Sequence, residues 1–157
     1  MLSLSFSTLE FAMTNLYKQE GYDLIASAIA VHNQMGGGML EEVYQECLEI
    51  ELEHRKIPFQ VKPELVLSYR GLGLRKRYLP DLLVFDGIVV ELKAVSQLLP
   101  EHAAQLFNYL RISDKTVGYL LNFAPLRGLE WRRFVVNGPT KPLRGLSPSE
   151  NLHERKI

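Results

Sequence analysis

The chain has 157 residues, 46% of them hydrophobic and 23% charged, the balance of an ordinary globular domain long enough to hold a core by packing alone. Eighteen Lys+Arg against eighteen Asp+Glu give a formal net charge of zero, which excludes a uniformly cationic coat for nucleic acid, so a polyanion would have to be met by a local patch. The single cysteine, Cys47, excludes an internal disulfide framework and a multi-cysteine zinc site, and no apolar run reaches membrane length; the expectation is a cytoplasmic chain with no membrane partner.

Residues 1–15 are mildly apolar and Ser-rich, interrupted by Glu10 and without a basic start, so they read as a flexible N-terminal tail and not as a signal peptide. Over 17–35, Leu24, Ile25, Ala28, Ile29, Val31 and His32 recur at helical spacing, and Gly36-Gly37-Gly38 stops that helix. Leu40, Val43, Tyr44, Cys47, Leu48 and Leu52 predict a second helix ending near His54. Val61, Leu65 and Leu67 then alternate with polar residues, which predicts a half-exposed strand over 59–69. Gly71 and Gly73 turn the chain into a second strand over 74–85, ending in the apolar run Leu82-Leu83-Val84-Phe85. Asp86-Gly87 is a two-residue hairpin signal, with a return strand over 88–95. A third helix is expected over 101–112 behind Pro100, and two last strands over 117–123 and 131–136.

The expected order is therefore ααβββαββ, an α/β or α+β fold with a mixed sheet flanked by helices, its body spanning 16–137. Residues 138–157, rich in Gly, Pro, Ser and charge, read as a C-terminal tail.

The stretch from Pro80 to Lys93 carries the chemistry. Alternate strand residues share a face, so Glu91 and Lys93 point together while Leu92 points away. A hairpin about Asp86-Gly87 brings Asp81 opposite position 92, within one residue of both. Two adjacent carboxylates repel unless a cation joins them, and hard oxygen donors suit Mg²⁺ or Mn²⁺. A lysine beside such an ion could orient or deprotonate a water, or hold a phosphate, which is the equipment of metal-assisted phosphodiester hydrolysis. The same residues would also make an exposed Glu91–Lys93 ion pair worth at most ~1 kcal/mol. Near the glycine turn, Arg70, Arg75, Lys76 and Arg77 suit phosphate contacts or, alternatively, a solvated hairpin end. Arg132 and Arg133 beside Trp131 could add to that patch. Gly36-Gly37-Gly38 lacks a following Gly-Lys-Ser/Thr and a preceding strand, so it is no phosphate-binding loop but a flexible corner that could set the approach of Glu41.

Pro80-Asp81, nine residues, then Glu91-Leu92-Lys93 resembles the PD-(D/E)XK signature of restriction-endonuclease-like phosphodiesterases. Gly38-Met39-Leu40-Glu41-Glu42-Val43-Tyr44 is similar to the motif of the GxxExxY family in that superfamily. Val31-His32, Glu91-Leu92-Lys93-Ala94-Val95, His102-Ala103-Ala104-Gln105-Leu106 and Leu121-Asn122-Phe123 resemble the same family in its order, over residues 24–137. The resemblance implies an αβββαβ core in which Asp81 and Glu91 ligate the metal, with the Leu92 carbonyl as a third ligand and Lys93 catalytic. It also implies that Glu41 is the helical acid that reaches the metal directly or through water; the alternative is a solvated carboxylate like Glu42. Gln105 and Tyr109 resemble the QxxxY motif of the exonuclease branch of recombination and repair, where the pair lines the active site; Tyr109 could instead belong to the core with Leu106 and Leu110. His32 and His102 match family positions but read as packed, hydrogen-bonded side chains.

The functional expectation is a nuclease using Mg²⁺ or Mn²⁺, with nucleic acid, DNA in the first instance, as substrate. Its rival is a non-catalytic nucleic-acid-binding or protein-interaction module on the same fold. A homo-oligomer, with an edge strand such as the last pairing across it, or action inside a larger complex is compatible with either.

Overall fold

Residues 5–136 are described in the computed structural model. Along them run helices α1 (Phe6–Asn15), α2 (Lys18–Met35) and α3 (Glu41–His54), then strands β1 (Phe59–Val61), β2 (Leu65–Tyr69), β3 (Leu72–Tyr78), β4 (Leu82–Val84) and β5 (Ile88–Lys93). Helix α4 (Pro100–Ser113) and strands β6 (Val117–Asn122) and β7 (Glu130–Val135) complete them. Five strands form one mixed sheet in the order β1-β4-β5-β6-β7, while β2 and β3 make a separate two-stranded ribbon. Only β5 and β6 run parallel, and parallel neighbours need a crossover, which α4 supplies.

Alternation along β5 sorts its side chains between two cores. Ile88, Val90 and Leu92 pack with Leu24 and Ala28 of α2 and with Leu48 and Leu52 of α3, whereas Val89 meets Leu106 and Leu110 of α4. In β6, Tyr119 and Leu121 go to the first core and Leu120 to the second. The sheet is thus the middle layer of three, and strands covered on both faces are apolar throughout, as Leu82-Leu83-Val84 and Ile88-Val89-Val90 are. The expected mixed sheet flanked by helices is the one observed.

The elements differ from the expectation where proline and positive φ angles intervene. The single strand expected over 59–69 is two, because Lys62 adopts left-handed backbone (φ 44°) and Pro63 has no amide to continue a ladder. The strand expected over 74–85 divides in the same way at Pro80: β3 pairs with β2, and β4 pairs with β1 and β5. The hairpin after β4 is a three-residue turn and not a two-residue one. Phe85 and Asp86 both take φ 54°, and the register becomes Leu82↔Val90 and Val84↔Ile88. That one-residue change carries Asp81 to the position opposite Glu91 itself. A Cβ on Gly87 would lie 2.1 Å from Tyr17 Cζ, so the glycine lets the Tyr17 ring close over the turn.

At the N-terminus, α1 lies within the segment expected as a tail: Ser5 caps it by accepting the Thr8 amide at 3.4 Å, yet none of its residues is buried. The C-terminal segment 138–157 lies outside the described residues. Among the described residues, no helix is long and apolar enough to cross a membrane.

The corner between α2 and α3 is fitted rather than loose. Gly36 and Gly38 have φ 72° and 90°, and a Cβ on Gly37 would stand 2.5 Å from the Ala124 carbonyl oxygen and 2.9 Å from that of Pro125. Backbone oxygens cannot swing aside, so Gly37→Ala is expected to lower stability by about 1–3 kcal/mol in urea unfolding. An unchanged unfolding midpoint would show that the 124–125 loop is not held against this corner.

Candidate active site

Asp81 stands at the entrance to β4, and Glu91 and Lys93 lie on β5, on the face turned to α4. Main-chain amides fix both carboxylates: the Asp81 amide donates to Glu91 Oε1 at 2.9 Å, and the Leu92 amide donates to Asp81 Oδ2 at 2.7 Å. Each acid is therefore held by the backbone beside the other, an arrangement that follows from the antiparallel pairing of β4 with β5. Glu91 is only 3% exposed, and Lys93 Nζ lies 3.8 Å from its Oε2. An exposed ion pair, one of the two readings of this spacing, does not describe so buried a group.

Burial is the largest cause that raises the Glu91 carboxyl, to about 8, and the neighbouring Asp81 charge adds to it. The Asp81 amide and Lys93 pull the other way without restoring the usual carboxylate range. Asp81 is also raised by burial, against the Leu92 amide, Lys93 and Lys62. Without a further cation, the pair therefore keeps a proton at neutral pH.

Glu41, the first residue of α3, belongs to the same electrostatic cluster. Its carboxyl is raised by burial and by Asp81, while Lys93 and a hydrogen bond from the Ala94 amide lower it. Glu42 beside it is exposed. On α4, Gln105 Oε1 accepts from Lys93 Nζ at 2.9 Å, and Gln105 Nε2 donates to the Tyr109 hydroxyl at 3.0 Å. Tyr109 also packs in the core with Leu106 and Leu110, so the two readings of this residue coincide. The structure brings Asp81, Glu91, Lys93, Glu41, Gln105 and Tyr109 to one place.

Three further residues shape the site: Gln45, and Tyr44 and Asn122 from the family-like stretches. The Tyr44 hydroxyl donates to the Gly36 carbonyl at 2.6 Å and accepts the Met39 amide at 3.0 Å, while its ring stacks on Phe123 with centroids 4.8 Å apart. It ties the glycine corner to the start of α3, where Glu41 sits. Gln45 Nε2, one residue on, donates to the Asp81 carbonyl at 3.3 Å. The fully buried Asn122 accepts the Val95 amide at 3.1 Å and donates to the Val95 carbonyl at 2.9 Å, pinning the chain just after Lys93. A polar residue inside an apolar strand was the available signal for Asn122, and its place at the end of the Gly38–Tyr44 motif was that for Tyr44.

Other expected residues lie apart. Arg70, Arg75, Lys76 and Arg77 are on the β2–β3 ribbon, where Arg77 Nη1 turns back to the Leu74 and Arg75 carbonyls. Arg133 donates to the Leu16 carbonyl at 2.6 Å and pairs across strands with Tyr119, which puts it on the α2/α3 face with Trp131 and away from the ribbon. His32 Nε2 lies 2.7 Å from the Pro125 carbonyl oxygen, and His102 Nδ1 accepts the Leu99 amide at the start of α4, so both are structural.

Among the described residues, no three His, Cys, Asp or Glu side chains converge closely enough to enclose a metal ion. The donor set nonetheless fits a hard cation. Two buried carboxylates held by main-chain amides, both raised by burial, suit an ion such as Mg²⁺ that keeps much of its water shell.

Residues 18–134 match the sequence profile of the PD-(D/E)XK nuclease superfamily. No curated protein matches the chain in sequence. Among solved structures, the one described as the crystal structure of SSO0001 is similar over 90% of this chain and 69% of its own, with a TM-score of 0.51 and 18% identity. That likeness is one of fold.

The raised carboxyl of Glu91 makes stability depend on pH. In the metal-free protein the folded state holds a proton that the unfolded chain releases above its ordinary value of 4.5, so stability falls as pH rises from there to about 8. Thermal melts in EDTA between about pH 5 and pH 8.5 should show the melting temperature of Glu91→Gln falling less than that of wild type. Parallel profiles for the two proteins would mean that Glu91 ionises normally.

Proposed function

The chain belongs to the PD-(D/E)XK nuclease superfamily, and we propose that it is a nuclease dependent on Mg²⁺ or Mn²⁺ that hydrolyses phosphodiester bonds, with Asp81, Glu91 and Lys93 at its centre. One observation carries this reading: two buried carboxylates are held side by side by main-chain amides, and the adjacent Lys93 alone does not balance their charge. Asp81, Glu91 and the Leu92 carbonyl would hold the ion, with Glu41 reaching it directly or through water. When bound, the ion would polarise the phosphate and make a bound water more acidic. Lys93, held at 2.9 Å by Gln105, keeps its ammonium where it can orient the attacking water or steady charge growing on the phosphate oxygens. Tyr109 sets the Gln105 amide through its hydroxyl and so acts on Lys93 at one remove.

Within the superfamily, the reading extends to the GxxExxY family, supported by Gly38, Glu41 and Tyr44 at that spacing and by the Tyr44 hydroxyl bridging the corner before α3. DNA is the substrate we assign, on the likeness of Gln105 and Tyr109 to the pair found in repair exonucleases, and a cytoplasmic setting agrees with the lone, half-buried Cys47.

A non-catalytic binding module on the same fold is the second reading. What favours it is the absence, among the described residues, of three convergent metal-ligating side chains.

Cleavage of labelled single-stranded, duplex and branched DNA and RNA in Mg²⁺ and in Mn²⁺ tests the two. Wild type is expected to cut, EDTA to stop it, and Lys93→Ala to lower the rate by roughly 10²-fold or more. Calorimetry should show Mn²⁺ binding lost in Asp81→Ala and Glu91→Ala with both proteins still folded. Variants that bind Mn²⁺ as wild type does would refute the ligand assignment, and a wild type that neither cuts nor binds metal would leave the binding module.

A further inference from the structure

We propose that the β2–β3 ribbon is a guide for nucleic acid with unpaired bases, in which the exposed Tyr69–Leu72 pair at its tip receives a base and the cations behind it receive the backbone. The inference rests on the nuclease reading for the chemical class of the partner, and it adds which form of that partner the site accepts.

The root of the ribbon is built into the wall of the candidate site. Leu65 and Leu67 on β2 and Tyr78 on β3 pack with Leu106 and Tyr109 of α4, and the Tyr78 ring meets that of Tyr109 edge-on at 6.3 Å. Three residues after Tyr78 the chain reaches Asp81. Lys62, just before the ribbon, donates its amide to the Asp81 carbonyl at 3.0 Å, and its charge lowers the Asp81 carboxyl.

The tip is different in kind. Alternation along β2 puts Leu65, Leu67 and Tyr69 on one face, and beyond a register shift between Val66 and Ser68 the strands pair Tyr69 with Leu72 across the Arg70-Gly71 turn. This apolar face is buried at the root but uncovered at the end, where Tyr69 is 49% and Leu72 74% exposed. Both turn residues take positive φ, 51° and 78°, the conformation of a tight two-residue hairpin, so the tip is a shaped turn and not a slack loop.

Charge identifies the occupant. Lys62, Arg70, Arg75, Lys76 and Arg77 stand in this stretch against a single acid, Glu64, in a chain whose formal net charge is zero. Glu64 lies 3.8 Å from Arg77, whose guanidinium also reaches back to main-chain carbonyls, which leaves Arg70, Arg75 and Lys76 exposed along the ribbon. An aromatic ring for a base, with cations alongside for phosphates, is the composition of a single-strand platform. A base stacked inside a duplex is not available to such a ring, so an unpaired strand or a frayed end is favoured over blunt duplex.

The test is binding of a labelled poly-dT oligonucleotide and of a blunt DNA duplex by the Lys93→Ala chain in EDTA, where nothing is cut. Adding Tyr69→Ala and Leu72→Ala should weaken oligonucleotide binding at least roughly tenfold and leave duplex binding nearly unchanged. Arg75→Ala with Lys76→Ala should weaken both and reduce the slope of log affinity against log salt by about one to two. All four positions are exposed, and matching thermal melts would establish that the variants are folded. Oligonucleotide binding that ignores the tip overturns the inference, as does loss of self-association in place of oligonucleotide affinity. Ribbon-dependent binding by a wild type that neither cuts nor binds metal would keep this inference and remove the nuclease; cutting that ignores the ribbon would do the reverse.

Discussion

Two carboxylates that the backbone forces together away from water are the constraint on which the rest of this structure depends. Asp81 and Glu91 meet because β4 and β5 are antiparallel neighbours, and each is then locked by an amide from the other's strand or entrance. Neither can rotate away to solvent without giving up a charge-assisted hydrogen bond. The cost of keeping them there is a raised pair of pKa values and a proton retained at neutral pH. A fold selected for stability alone would place apolar residues at these positions, as it does at Val90 and Leu92 on either side of Glu91. On the proposed function, holding the acids poised for a cation would give the arrangement its use.

The remaining layers hold that buried acidic centre in place. From one side α4 presents Gln105 to Lys93, and the Tyr109 hydroxyl and the surrounding core settle the orientation of Gln105. From the end of the sheet α3 brings Glu41, and its starting point is set by Tyr44 and by a glycine corner that accepts no added carbon at Gly37. Beneath, Asn122 on the parallel neighbour of β5 fixes Val95. Each support is a helix, a strand or a buried hydrogen bond rather than a long loop, so the distances at the centre are set by packing.

How much of this was legible depends on whether the information is local. The helices over α2, α3 and α4 follow from apolar spacing, and the convergence of Asp81, Glu91 and Lys93 follows from one hairpin. Its turn is one residue longer than the Asp86-Gly87 signal implies because Phe85, an apolar aromatic, gives no sign that it will adopt positive φ; the closure of Tyr17 over Gly87 is a tertiary contact. The two long strands were each cut by a proline and redistributed between two sheets. Alternation reveals that a segment is extended and half covered, but it is silent on which partner covers it. Tyr44 and Asn122 fell within family-like motifs, but their roles did not show: Tyr44 stacks on Phe123 and Asn122 holds Val95, contacts between residues distant along the chain. Ser5 shows the opposite case, a local cap that starts α1 where no apolar period marked a helix.

The splitting of those strands at proline has a functional reach that a continuous sheet would lack. Had 59–69 and 74–85 stayed in the main sheet, the cations from Arg70 to Arg77 would lie along a covered edge. Pro63 and Pro80 instead detach β2 and β3 into a ribbon whose root shares the core of α4 and whose tip stands clear of it. A chain with no net charge thereby gathers positive charge next to its buried acidic cluster, two opposite fields that meet where the Lys62 amide donates to the Asp81 carbonyl. An anion drawn to the ribbon is attracted over a Debye length of about 8–10 Å, but bare carboxylates would repel it at the centre. The two halves of the surface are compatible with one polyanionic ligand only when the acids are neutralised, by a proton or by a metal ion. If the ribbon recruits a strand as proposed, neutralising the centre and recruiting that strand become a single electrostatic problem, set by where two prolines break the sheet.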